Sequence, residues 1–346
     1  MKQLLGLTVE ELQSELRELK QPAYRAMQLQ QWLYRNTPFE EMSNLPGELR
    51  RELSEKYLEG YAHIVNKQTS VDGTTKYLLQ LDDGNTVETV FLPHDYGNTV
   101  CVSTQIGCAM GCKFCASCKD GLVRNLTAGE ILAQLTAVSA DQKAQRVGRV
   151  VLMGMGEPLQ NTDAVLRFIQ LAGDSNGLGI GQRNISLSTC GVVDQIDRLA
   201  DENLQCTLAI SLHAPTQEKR ESIMPSAKKY HLTDIVSAAE RYYQKTGRRI
   251  TFEYALIKGV NDTVQDLNAM VRLLRPLHTH VNIIPLNATG GELYGPSKRA
   301  AYAFADQLTK RGVPATVRRT MGQDIEGACG QLRQRAMQDT KRTMEV

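Results

Sequence analysis

No apolar run in the 346 residues approaches the length of a membrane span, which argues against an integral membrane protein. A signal core is missing too. The opening "MKQLLGLTVEELQSEL" carries acids within a helical pattern, so a cytoplasmic protein is expected. Charge of one sign is also scarce. Forty basic and 38 acidic residues leave a net +2, so a nucleic-acid partner would need its cations gathered into a local patch. There is no internal repeat and no low-complexity segment, which excludes solenoids and disordered tails. What remains is an ordinary globular composition, 42% apolar and 23% charged, with room for one large domain and a smaller one.

Against this plain background the cysteines stand out. The stretch "GCAMGCKFCASC" puts four of the eight within eleven residues. In a reducing compartment such a cluster points to metal or catalysis rather than to disulfides. Cys108, Cys112 and Cys115 form C-x3-C-x2-C. Zinc would need a fourth ligand, and four cysteines saturate the irons of an iron–sulfur cluster. Three thiolates leave one iron open, where the amino and carboxylate groups of S-adenosylmethionine can bind. Reductive cleavage of that sulfonium yields a 5′-deoxyadenosyl radical. The competing reading is a zinc knuckle completed by Cys118, but no further Cys/His pair follows at zinc spacing. Cys118 is therefore read as a bystander, and Phe114 as a screen against water.

Along the chain, the first ~60 residues read as helices. "TVEE" at Thr8 to Glu11 is a capping box, followed by Leu12, Leu16 and Leu19 at helical spacing. Pro22 opens a second helix with Met27, Trp32 and Leu33 as its apolar positions, and a third follows Pro46. Arg25, Arg35, Arg50, Arg51 and Lys56 make this region a solvated or an RNA-touching face. "TTKYLLQLDDGNTVETVFLP" predicts two strands around an Asp83-Gly84 turn. From Thr99 onward β-rich runs alternate with amphipathic ones: "TVCVSTQ", "RVVLMGMG", "RNISLSTCG", "CTLAISLHA", "RITFEYALI", "VNIIPLN" and "ATVRRT". Repeated βα units imply an α/β fold with a parallel sheet or barrel, whose ligands bind at the strands' C-terminal ends.

"CVSTQIGCAMGCKFC" followed by "GLVRNLTAGEI" resembles the RlmN/Cfr family of radical-SAM RNA methyltransferases. So do "VLMGMGEPL", "ISLSTCG", "LAISLHAP", "NIIPLN" and "DIEGACGQLR". The matches run in family order from about Val87 to Arg333, closest overall to RlmN. The resemblance implies a partial (β/α)6 radical-SAM barrel with a small N-terminal helical accessory domain and a short β extension. The expected division is 1–60 for the helical, RNA-contacting domain and 61–98 for a β-hairpin extension. The radical-SAM core would span 99–320, and 321–346 would be a C-terminal segment carrying Cys329.

The same resemblance implies a 4Fe-4S cluster on Cys108, Cys112 and Cys115. It implies S-adenosylmethionine contacts at Gly156, Glu157, Ser188, Ser211, Leu212, His213 and Asn287. Cys329 would be methylated by one S-adenosylmethionine, and a radical from a second would take a hydrogen atom from that methyl. The carbon radical would add to adenine, an electron-poor amidine carbon that ordinary methyl transfer does not reach. Glu88, in "TVETV", would accept the ring proton. Cys101 would release the RNA by a disulfide with Cys329, as an exposed thiol of depressed pKa. Cys190 and Cys206 are read as buried and inert.

The implied target is C2 of an adenosine in the peptidyl-transferase centre of 23S rRNA, with the adenosine 3′ to the anticodon in tRNAs. A monomer served by an electron donor such as flavodoxin or ferredoxin goes with it. Two alternatives stand. Gly121-Leu122 replaces the "GF" usual in RlmN, which leaves Cfr-like C8 methylation open. A radical-SAM enzyme with a non-RNA substrate is the other, although it would have no use for Cys329. Lys119, Arg124, Asn125, Arg318, Arg319, Arg333 and Arg335 are the candidate phosphate contacts beyond the N-terminal domain.

Overall fold

Thr8 starts the first helix as its neighbours predict. The Thr8 side chain accepts from Glu11 N, and the Glu11 carboxylate accepts from Thr8 N, so two amides are satisfied at the helix start. The computed structural model describes residues 1–142, 146–287 and 292–332. Its N-terminal unit holds β1 (Lys2–Gln3), α1 (Val9–Glu18), α2 (Tyr24–Leu33), α3 (Gly47–Lys56) and β2 (Tyr57–Leu58), with β1 and β2 paired in parallel. Leu12 and Leu16 are buried as expected. In α2 the buried stripe is Ala26, Leu29 and Leu33, whereas Met27 is exposed. Both stripes are apolar at helical spacing, and only docking chooses between them. The docking face carries Gln30, which donates to Asp174, and Tyr34, whose hydroxyl donates to Leu171 O.

Next come β3 (His63–Thr69), β4 (Thr75–Gln80) and β5 (Thr86–Leu92), all antiparallel, with Asp83 and Gly84 in the turn before β5. β3 is absent from the sequence reading. Every residue in it is exposed, so no buried alternation marks it. The chain continues through β6 (Asn98–Cys101), the hairpin of β7 (Gln105–Gly107) and β8 (Leu122–Asn125), and α4 (Ala128–Asp141). After these follow β9 (Val147–Leu152), α5 (Thr162–Ala172), β10 (Ile185–Thr189), α6 (Val193–Asp201) and β11 (Thr207–Ser211). The last elements are α7 (Gln217–Ile223), α8 (Leu232–Thr246), β12 (Ile250–Leu256), α9 (Val264–Leu274), β13 (Thr279–Pro285), α10 (Lys298–Lys310) and β14 (Ala315–Val317).

All seven β-rich runs are strands. Among the described residues one sheet has the order β14-β13-β12-β11-β10-β9-β6-β5-β4-β3, parallel from β14 to β6 and antiparallel beyond. Each of β6, β9, β10, β11, β12 and β13 is followed by helix, which makes the radical-SAM type of partial (β/α)6 barrel. Alternation explains its interior. Leu187, Leu208, Ile210, Phe252, Tyr254, Val281 and Ile283 are buried in the core. The intervening Ser186, Thr207, Thr251, Glu253 and Asn282 line interior space. A closed barrel fills that space with branched aliphatics. Here small and polar residues leave it open. No described helix is long and apolar enough to cross a membrane.

Gln134 on α4 joins the helix layer to the loop after β6. It is fully buried, accepts from Ser103 N (2.8 Å) and Thr89 Oγ1 (2.8 Å), and donates to Ser103 O (2.9 Å). Gln134→Leu orphans these groups. The expected cost is about 2–4 kcal/mol, read as a lower denaturant midpoint at unchanged slope. An unchanged midpoint would show that the Ser103 backbone finds other partners.

Candidate active site

The cluster loop leaves the barrel through a narrow neck. Gly107 has φ +73°, and a Cβ on it would lie 1.9 Å from Gly121 O; Cys108 N donates to that same oxygen at 2.9 Å. Only glycine permits this closure. Beyond the neck, Cys108, Cys112 and Cys115 line one cavity of about 150 Å³. Cys118 lines it as well, with its thiol against the other three. The short helical turn Ala116–Cys118 brings it back onto the loop, so the thiol read as a bystander stands beside the three candidate ligands. Contact with Cys118, then burial, raises the thiols of Cys112 and Cys115. The same contacts lower the thiol of Cys118.

The other wall of this cavity is made by strand ends. Gly156, Glu157, Ser188, Ser211, His213 and Asn287 all line it. Leu212 does not; it is buried, and its amide donates to Glu253 O. Gly156 has φ +106°, and a Cβ would meet Gln105 N at 2.8 Å, so the loop rests directly on the segment before the cluster. Glu157 accepts from Leu159 N (3.0 Å) and Cys190 N (2.7 Å). Burial raises its pKa against those bonds. The side chains of Thr189 and Cys190 also hydrogen-bond to it. His213 has φ +55° and stands edge-on to Phe114, with ring centroids 4.9 Å apart. Its Nδ1 accepts from Ala255 N at 2.9 Å, which places the proton of the neutral ring on Nε2. Burial, helped by Arg220, lowers its pKa to about 3, so it stays neutral at physiological pH. Four thiols meet beside a carboxylate and small polar groups; sulfur donors of this kind suit iron or zinc, and the C-x3-C-x2-C set with the carboxylate opposite suits a three-cysteine cluster with an amino-acid ligand.

A second cavity, of about 310 Å³, adjoins the first. Cys101 and Cys329, 228 positions apart, both line it, and Cys329, Asn287, Arg318, Met153 and Ile284 line both cavities. Both cysteines are free thiols. Cys101 is buried rather than exposed, and burial pushes its thiol up to about 12, with Cys329 adding to the rise and Arg318 opposing it. The expected depressed pKa is not met; the sequence could not show how deep β6 lies. Arg318, expected to touch phosphate, faces these cysteines instead, because β14 turns it inward. Glu88 lines neither cavity. It lies on β5 two positions before Val90, which does and which pairs with Cys101. Glu88 is buried, 3.7 Å from Lys76 Nζ.

Cys329 is carried by a segment clasped from two sides. Ala116 N donates to Gly330 O (2.8 Å), Ser117 Oγ to Leu332 O (2.8 Å), and Asn287 Nδ2 to Cys329 O (3.3 Å). Opposite, Ser70 Oγ donates to Asp324 (2.6 Å), and Gly322 N donates to Asp72 (3.0 Å). The sequence reading missed Asp72, Ser117 and Asp324, which have no motif of their own. Of the other basic candidates, Arg124 is paired with Asp83 and Glu130, and Arg50 donates to Glu40 O. Arg319 is exposed. Arg333 and Arg335 lie outside the described residues.

The comparisons agree with this geometry. Residues 102–274 match the Radical SAM superfamily, which defines the class. Residues 2–58 match the ribosomal RNA large subunit methyltransferase N-terminal domain. A Clostridium perfringens protein named "Probable dual-specificity RNA methyltransferase RlmN" is 49% identical over 96% of this chain and 97% of its own. A Bacillus licheniformis protein of that name is 46% identical over 98% and 95%. The crystal structure of a radical SAM methyltransferase from Sphaerobacter thermophilus superposes with a TM-score of 0.93 at 43% identity, over 96% of this chain and 99% of that one. The chain belongs to the RlmN family of radical-SAM RNA methyltransferases, and it is an enzyme.

Burial would raise the Asp72 carboxyl, but hydrogen bonds from Thr74, Gly322 and Ser70 hold it down to about 2 from 3.8. A depressed carboxylate stabilises above its unfolded pKa, so the clasp holds above pH ~4 and loosens as pH falls toward 2. At pH 8, Asp324→Ala should raise iodoacetamide labelling of Cys329 roughly three- to tenfold, the loss of about one or two hydrogen bonds. Peptide mass spectrometry reads this; an unchanged rate would show that the clasp does not restrain the cysteine.

Proposed function

We propose that this enzyme methylates C2 of an adenosine in the peptidyl-transferase centre of 23S rRNA and of the adenosine 3′ to the anticodon in tRNAs, through S-methylation of Cys329. The observation that carries the reading is the shared cavity of Cys101 and Cys329, opening onto the cavity of the three cluster cysteines. Cys108, Cys112 and Cys115 would hold one 4Fe-4S cluster. Gly156, Glu157, Ser188, Ser211, the backbone at Leu212, His213 and Asn287 would hold S-adenosylmethionine. When bound, these groups supply a methyl for Cys329 and then a 5′-deoxyadenosyl radical, two S-adenosylmethionine molecules being used.

The protein's own residues do the rest. Cys329 carries the methyl and gives up one of its hydrogen atoms. The resulting methylene radical would add to the adenine carbon, and the adduct would return one electron to the oxidised cluster that Cys108, Cys112 and Cys115 would hold. Glu88 takes the ring proton. The Cys101 thiolate attacks the sulfur of Cys329, so a disulfide forms as the sulfur–methylene bond breaks, and the released methylene carbon takes up a proton to become the product methyl. Cys101 is protonated in the resting site, and Arg318 is the nearby cation that favours its thiolate. The proposal locates the enzyme in the cytoplasm as a monomer. Residues 1–60 would contact RNA, and a flavodoxin- or ferredoxin-type protein would donate electrons.

Cys101→Ala should trap RNA cross-linked to the protein, whereas Cys329→Ala should give no cross-link. Equal cross-linking in both would refute the assigned roles. Mass spectrometry of rRNA and tRNA nucleosides, with and without the gene, should show loss of 2-methyladenosine. Loss of 8-methyladenosine instead would reassign the chain to Cfr-like chemistry. Anaerobically purified protein should hold about four irons; stoichiometric zinc in their place would end the radical reading.

A further inference from the structure

Arg220, on α7, is the largest fully buried side chain, at 0% exposure. Its four hydrogen bonds all end on carbonyl oxygens: Leu212 O (3.2 Å), Tyr230 O (3.1 Å), Cys190 O (2.5 Å) and Ser211 O (3.2 Å). Among the described residues no carboxylate forms an ion pair with it. A guanidinium keeps its charge in proteins, and burying a cation without an anion costs several kcal/mol. Four carbonyl oxygens offer only partial charges, so a nearby anion would complete the compensation.

The surroundings say where. α7 is docked on the cluster loop, because Lys113 N donates to Ile223 O at 3.0 Å and Gly111 packs on Pro225. Cys190, whose carbonyl accepts from the guanidinium, lines the same cavity as Cys108, Cys112 and Cys115. A 4Fe-4S cluster on three thiolates is an anion, and reduction adds one more negative charge. Net charge and nearby dipoles set the potential of such clusters.

We propose that Arg220 is the built-in counter-charge of the iron–sulfur site. Its fixed cation favours the reduced cluster, while its fork pins the ends of β10 and β11 against which S-adenosylmethionine would lie. This rests on the family reading that Cys108, Cys112 and Cys115 hold the cluster. Arg220 touches no reacting atom and acts as a positioning residue.

The test uses the whole chain, reconstituted anaerobically and titrated electrochemically with the cluster followed by electron paramagnetic resonance. At the wild-type midpoint potential, Arg220→Met should show at least a tenfold lower ratio of reduced to oxidised cluster, or 59 mV for one electron. Arg220→Lys keeps the charge and loses the fork. Its ratio should stay within about threefold of wild type, while S-adenosylmethionine binding weakens roughly tenfold, by the loss of about one or two hydrogen bonds. A Met variant with four irons and an unchanged midpoint would overturn the proposal. A Lys variant shifted by tenfold or more would do the same, even if the Met variant does not fold. A purely architectural role would lower stability in both variants and leave the potential in place. Wild-type protein that takes up no cluster at all would instead refute the family reading.

Discussion

Ala116 and Ser117, directly after the last cluster cysteine, hold Gly330 O and Leu332 O by two hydrogen bonds of 2.8 Å. The rest of the site depends on that junction. It brings Cys329 to the boundary between the two cavities, so one sulfur can face the cluster side and the Cys101 side in turn. The opposite anchor comes from the turn between β3 and β4, through Asp72 and Ser70. The antiparallel extension is thus the other half of the clasp. Loops are usually mobile; this one is restrained on both sides of Cys329.

The barrel interior follows a related constraint. An open sheet with polar residues on its inner face gives up the aliphatic packing that stabilises a closed barrel. Part of that packing is replaced by hydrogen bonds from buried polar groups. Gln134, Glu157 and Arg220 each satisfy backbone atoms at strand ends or in the loops that follow. These bonds are worth more in a dry interior than on the surface. They hold open a space that side chains do not fill, and a ligand enters it without displacing protein.

Much of this was legible from local pattern. The capping box at Thr8, the turn at Asp83-Gly84 and the seven β-rich runs are short-range signals, and each became the element it announced. The spacing of Cys108, Cys112 and Cys115 put three thiols on one loop, and that loop lines one cavity. Less was legible where two local readings were equally good. Met27 and Leu29 are both apolar, yet only one faces the core. Arg124 and Arg318 are both cations beside strands, yet one is ion-paired and the other turned toward two cysteines.

By itself the sequence determined most of the elements, the parallel order of the βα units and the placing of three cysteines on one loop, because each is written within a few residues. The tertiary structure alone decided that Cys101 and Cys329 share a cavity and that Cys101 is buried. It also decided that Cys118 folds back on the cluster loop and that Arg220 is fully buried with carbonyl oxygens as its partners. Those relations join residues from different strands and loops, and their energies come from burial and from contacts that exist only once the sheet has closed around them.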